Sequence, residues 1–130
     1  MRAYEELDRA ATPWGEILLV RRRVPGAPGG AAFEVKLGGA LLMSSLVTES
    51  ERALATLALA PPAPARARVL VGGLGLGYTA AEALAQPGVR ELEVVDLLPQ
   101  VIDWHRRGLV PLGSVLLGDA RCRLAEADVF

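Results

Sequence analysis

The sequence predicts an α/β chain in which a small antiparallel β-meander precedes a parallel sheet with helical crossovers. Three observations carry this. Short apolar-alternating segments separated by Pro- and Gly-bearing turns fill the region before Thr48. A proline cluster, Pro61-Pro62-Ala63-Pro64-Ala65, then interrupts the chain, because prolines at that density exclude helix and favour an extended connector. Beyond it, strand-like and helix-like segments alternate, which implies right-handed crossovers and parallel pairing.

In the first part, residues 4–10 and 17–23 flank Thr12-Pro13-Trp14-Gly15, a turn with Pro and Gly where turns want them. After a loop over 24–30, residues 32–37 alternate, with Phe33, Val35 and Leu37 on one face and Glu34 and Lys36 on the other. Gly38-Gly39 signals a hairpin before a strand over 40–43. Tyr4 and Trp14 are expected to pack the meander, and Arg21-Arg22-Arg23 to form a solvated strand end. A helix follows, with Thr48-Glu49-Ser50-Glu51 as a capping box, Leu54, Leu57 and Ala58 at helical spacing, and a stop before Pro61.

In the second part, Val69-Leu70-Val71 is a short apolar strand of the kind found inside parallel sheets. Residues 78–85 read as an Ala-rich helix, 89–95 as a second strand, 99–107 as a second helix with Pro at its first turn, and 121–126 as a third strand. The expected domains are a meander over 1–47, a helix and connector over 48–65, and a cofactor-binding half-domain over 66–130.

Composition narrows the function classes. The 130 residues are 52% hydrophobic and 22% charged with a net charge of −1, an ordinary globular balance. No basic excess favours nucleic acid or an anionic membrane. One Cys, Cys122, excludes an intrachain disulfide, and one His, His105, excludes a His pair for a metal. Cys122 reads as a small buried hydrophobe and His105 as an exposed helix-end residue. No apolar run has the length of a membrane span or a signal peptide, so a cytoplasmic setting is expected.

The chemistry concentrates in Gly72-Gly73-Leu74-Gly75-Leu76-Gly77, directly after an apolar strand and directly before a helix. Glycines there let the backbone turn sharply and approach a ligand, and the helix start behind them favours negative charge. The dinucleotide fingerprint G-x-G-x-x-G would put its third glycine where Tyr78 stands, which weakens NAD as the ligand. Asp96 ends the second strand, nineteen residues after Gly77. In open α/β sheets ligands sit outside the carboxyl ends of strands, and an acid there accepts hydrogen bonds from ribose hydroxyls.

The glycine loop, the run Glu93-Val94-Val95-Asp96-Leu97-Leu98-Pro99-Gln100-Val101-Ile102, and the stretch from Asp119 to Asp128, set behind a β-meander, resemble spermidine synthases and their spermidine-synthase-like relatives. These belong to the Rossmann-like superfamily of S-adenosylmethionine-dependent methyltransferases. The resemblance implies a truncated Rossmann-like sheet holding the first three strands of a methyltransferase fold. It implies S-adenosylmethionine or decarboxylated S-adenosylmethionine as cofactor. Gly73, Gly75 and Gly77 would line the site for the amino-acid part and ribose, Asp96 would bind the ribose hydroxyls, and Leu97 would pack beside the adenine. Asp128 would read the adenine amino group, with Ala127 where the family usually has Gly; Asp119 is the rival.

Two features depart from the family. The stretch from Leu42 to Glu49 lacks the Gln and the His-Glu pair that help bind the diamine, and the family's catalytic Asp would fall after a fourth strand, beyond Phe130. The strand holding Val69 to Val71 is therefore expected to be left as an open edge that drives assembly into a homodimer or larger homo-oligomer. The rival functions are a non-catalytic nucleotide-binding or assembly module and an NAD-dependent enzyme.

Overall fold

The computed structural model describes residues 2–61 and 64–130; Pro62 and Ala63 of the predicted connector lie outside the described residues. The chain divides after Thr48 into two units. In the first, strands β1 (Tyr4–Thr12), β2 (Gly15–Arg23), β3 (Ala31–Leu37) and β4 (Ala40–Ser44) pair antiparallel in sequence order. The β1–β2 turn is pinned by Thr12, whose Oγ1 accepts from the Trp14 amide at 3.1 Å and donates to the Gly15 carbonyl at 2.6 Å. At the β3–β4 hairpin Gly38 and Gly39 have φ of +58° and +84°, the left-handed pair that a tight two-residue turn requires.

Ile17, Leu19 and Val35 are buried in this sheet, but Tyr4 and Trp14 stand about half exposed, contrary to the packing role expected of them. Tyr4 begins β1 and Trp14 lies in the turn beyond its far end, where fewer neighbours cover a large ring. Arg21 and Arg22 are tied across strands rather than simply solvated. Arg22 forks onto Glu34 at 3.1 and 3.2 Å, and Arg21 meets Glu5 at 2.8 Å.

The second unit runs α1 (Glu49–Ala58), β5 (Ala67–Gly72), α2 (Tyr78–Ala85), β6 (Val89–Asp96), α3 (Pro99–Arg106), α4 (Gly113–Leu117) and β7 (Cys122–Glu126). Its strands form a parallel sheet in the order β5-β6-β7. Val71, Leu92, Val94 and Leu124 are buried on this sheet, together with Trp104 and Leu116 from the helices. Leu70, Glu93 and Arg123 lie side by side in register, with Arg123 paired to Glu93 at 3.1 Å and Leu70 65% exposed. β5 is thus an end strand with one apolar side chain in solvent.

Two local expectations change. Helix α1 starts at Glu49, which puts Thr48 at the N-cap position, but its inward residue is Ala55, and Leu54 and Leu57 are exposed. The small Ala55 lets α1 settle close to α2, where Thr79 Oγ1 donates to the Glu51 carbonyl at 2.8 Å. Helix α4 was not expected from the sequence. Its single turn and a half is bracketed by Pro111, Gly113 and Gly118, residues that ordinarily break helices.

Candidate functional site

The site lies at the carboxyl edge of the parallel sheet. β5 ends at Gly72, and the Gly73 amide still pairs with the Val95 carbonyl at 2.8 Å before the chain turns away. Gly73, Gly75 and Gly77 have φ of +110°, +52° and +92°, a left-handed residue at every second position, which explains the alternating glycine pattern. Gly77 then caps α2, its amide bonded to the Leu74 carbonyl at 2.9 Å.

β6 delivers Asp96 to the same edge. Its Oδ2 accepts from the Leu74 amide at 2.8 Å and from the Gly75 amide at 3.4 Å, while Oδ1 accepts from the Leu98 amide at 2.9 Å. A carboxylate offers about four acceptor positions, so the loop leaves room for a further donor. Leu97, partly exposed, follows directly. β7 ends beside Asp96, with the Ala127 amide donating to the Asp96 carbonyl at 3.0 Å, so Asp128 reaches this edge as well. Asp128 is exposed, and its Oδ1 accepts from the Phe130 amide at 2.9 Å.

The three glycines do not stand alike. Gly73 is exposed, and a Cβ placed on it would meet nothing within 4 Å, so the backbone is open to a ligand there. Gly77 is buried instead, and a Cβ on it would come within 3.0 Å of Leu116 and 3.1 Å of His105. It therefore serves the loop by letting helices close beneath it rather than by lining the exposed side.

Asp119 belongs to the opposite end of the sheet. It precedes β7, and Arg121 grips it at 2.8 and 3.1 Å while donating to the carbonyls of Val89 and Leu84 at 3.0 Å each. Hydrogen bonds from Arg121 hold the Asp119 carboxyl down to about 2. Asp119 is a structural clasp away from the glycine loop.

His105 departs most from expectation. It is 1% exposed, and its Nε2 lies 2.8 Å from the Gly75 carbonyl. Burial pushes its pKa below the ordinary histidine value, against the opposing pull of the Gly75 bond and the Asp96 charge. The sequence held a usable signal: His105 is four residues after Val101 and three after Ile102, both buried, and so shares their helix face. Cys122 is half-buried, and burial raises its thiol pKa, which disfavours the thiolate. Among the described residues no helix is long and apolar enough to cross a membrane.

A glycine loop and a strand-end carboxylate meet at the carboxyl edge of a parallel α/β sheet, in a chain that also carries an antiparallel meander. No family model matches the chain. It is 41% identical over 66 residues to polyamine aminopropyltransferase 2 of Streptomyces coelicolor, a match that covers 49% of this chain and 12% of that protein. The fold matches the crystal structure of spermidine synthase from Thermotoga maritima with a TM-score of 0.71 at 20% identity, over 95% of this chain and 41% of that one. It also matches spermidine synthase in complex with the transition state analogue AdoDATO, with a TM-score of 0.67 at 21% identity, over 94% of this chain and 39% of that one. The chain is spermidine-synthase-like, homologous to the aminopropyltransferases in sequence and alike in fold, and it spans well under half the length of these relatives.

Proposed function

We propose that this chain provides the cofactor-binding part of an aminopropyltransferase and binds decarboxylated S-adenosylmethionine, or S-adenosylmethionine itself, at the edge formed by Gly73, Gly75 and Asp96. The observation that carries the reading is the Asp96 carboxylate, bonded to the Leu74 and Gly75 amides with acceptor capacity left over. The residues suit the ligand: a carboxylate for ribose hydroxyls, an open backbone at Gly73 for close approach, and a partly exposed Leu97 for the face of adenine. Asp128 is the residue at this edge for the adenine amino group; its place beside Asp96 supports it over Asp119.

When bound, the cofactor supplies an activated sulfonium, so transfer to an amine requires mainly positioning and removal of a proton. The residues named here hold and orient; none is assigned the proton. Thermal-shift titration with decarboxylated S-adenosylmethionine, S-adenosylmethionine, methylthioadenosine and NAD tests the reading. Stabilisation by the S-adenosyl compounds and not by NAD is expected, since a ligand that binds only the folded state raises its stability. Stabilisation by NAD alone would overturn the reading.

A further inference from the structure

We infer that His105 is a positioning residue that sets the glycine loop for its ligand; its consequence for affinity rests on the function proposed above. Gly75 is held from two sides. Its amide points to Asp96 Oδ2 at 3.4 Å, and its carbonyl points to His105 Nε2 at 2.8 Å. A carbonyl only accepts, so the ring must carry its proton on Nε2. One side chain from the end of β6 and one from α3 thus fix both polar groups of a residue whose φ is +52°. The ring also fills the space under Gly77, where its Cε1 lies 3.1 Å from the position of a Cβ.

The other ring nitrogen, Nδ1, is buried with no hydrogen-bond partner. An orphaned buried nitrogen is unfavourable, and a leucine would fill the same interior without one. What the histidine offers in return is the single bond to the loop. That bond fixes the Gly75–Leu76 peptide while Asp96 holds the Leu74–Gly75 peptide before it, so the units on both sides of the Gly75 α-carbon are set, which is the arrangement a ribose would meet on arrival.

The test uses the full chain with His105→Leu and His105→Gln, the second retaining an N–H near the position of Nε2. In His105→Leu, hydrogen exchange at the Leu74 and Gly75 amides should quicken by about tenfold or more, while Val94 in the centre of β6 stays protected. Affinity for decarboxylated S-adenosylmethionine should fall by about tenfold, the worth of one hydrogen bond. His105→Gln should recover most of both. A folded His105→Leu protein with unchanged loop exchange would overturn the inference. The exchange measurement needs no ligand, so failure of the wild type to bind would count against the proposed function and not against the positioning role. Should His105→Leu fail to fold, the wild type still decides: a ¹⁵N spectrum must show the Nε2–H tautomer, and an Nδ1–H tautomer would overturn the inference.

Discussion

Asp96 and Asp119 stand at opposite ends of the parallel sheet, each with Oδ1 accepting from the amide two residues on, Leu98 and Arg121, both at 2.9 Å. From that shared turn they diverge. Asp119 is met by the Arg121 guanidinium, which also reaches two carbonyls, so charge and geometry are closed there. Asp96 has no Arg or Lys partner among the described residues and is balanced by backbone amides alone. The same small motif is a closed clasp when a cation shares it and keeps acceptor capacity when only the backbone does. Local spacing does not separate the two cases; the neighbour that folds in beside each one does.

The largest effect is expected at the loop itself. Gly77→Val should destabilise the protein by at least about 1–3 kcal/mol from the left-handed backbone alone, with further cost from the crowding against Leu116 and His105. Urea denaturation of the variant measures this, and wild-type stability would mean that the junction around Gly77 is loose enough to admit a side chain.

Next in size, Asp96→Ala should weaken binding of an S-adenosyl compound by about 1.5–3 kcal/mol, the value of hydrogen bonds to a charged group. Because Asp96 also holds the Leu74 and Gly75 amides, loop exchange should quicken in the same variant. Asp119→Ala should lower the melting temperature and leave affinity nearly unchanged. The reverse ranking would place the ligand at the wrong end of the sheet.

Acid should separate two titrations. The depressed Asp119 carboxyl contributes stability that is complete above its ordinary pKa and is lost as pH falls from about 4 towards about 2. His105 is also lowered, so the unfolded chain takes up its proton first, and stability declines as pH drops below about 6.5. Melting curves across this range should lose the upper step in His105→Gln and the lower one in Asp119→Ala. Both steps persisting in both variants would remove these groups as the cause.

The smallest effect on the folded monomer is expected at the sheet edge. β5 ends the sheet with Leu70 exposed, and a groove of about 320 Å³ bordered by Leu54, Ala58, Val69 and Val71 runs beside it. Among the described residues β5 pairs with no strand on its outer side, an apolar edge of that kind invites pairing with a second chain, and we propose a homodimer. Leu70→Lys should shift light scattering at micromolar concentration from dimer to monomer with little loss of stability. A wild-type monomer would contradict the expectation.

Much of this architecture was legible. The bounds of α2 follow from its Ala-rich sequence between Gly77 and Pro87, and Asp96 is placed by the apolar strand that it terminates. Residues whose surroundings come from distant segments were not legible. The face of α1 depends on α2, so Leu54 and Leu57 point outward despite their helical spacing. His105 looks like a helix-end polar residue until α4 and the glycine loop close over it. Gly77 reads as a ligand-lining glycine by pattern, and only packing reveals that it faces inward.

Backbone amide NMR during titration with decarboxylated S-adenosylmethionine tests the central claim most directly, because it compares the two ends of the sheet in one experiment. Shifts concentrated at Gly73, Leu74, Gly75, Leu97 and Leu98, with Asp119 to Arg121 undisturbed, are the predicted result. Saturable shifts centred on the Asp119–Arg121 end, or none at the glycine loop, would contradict it.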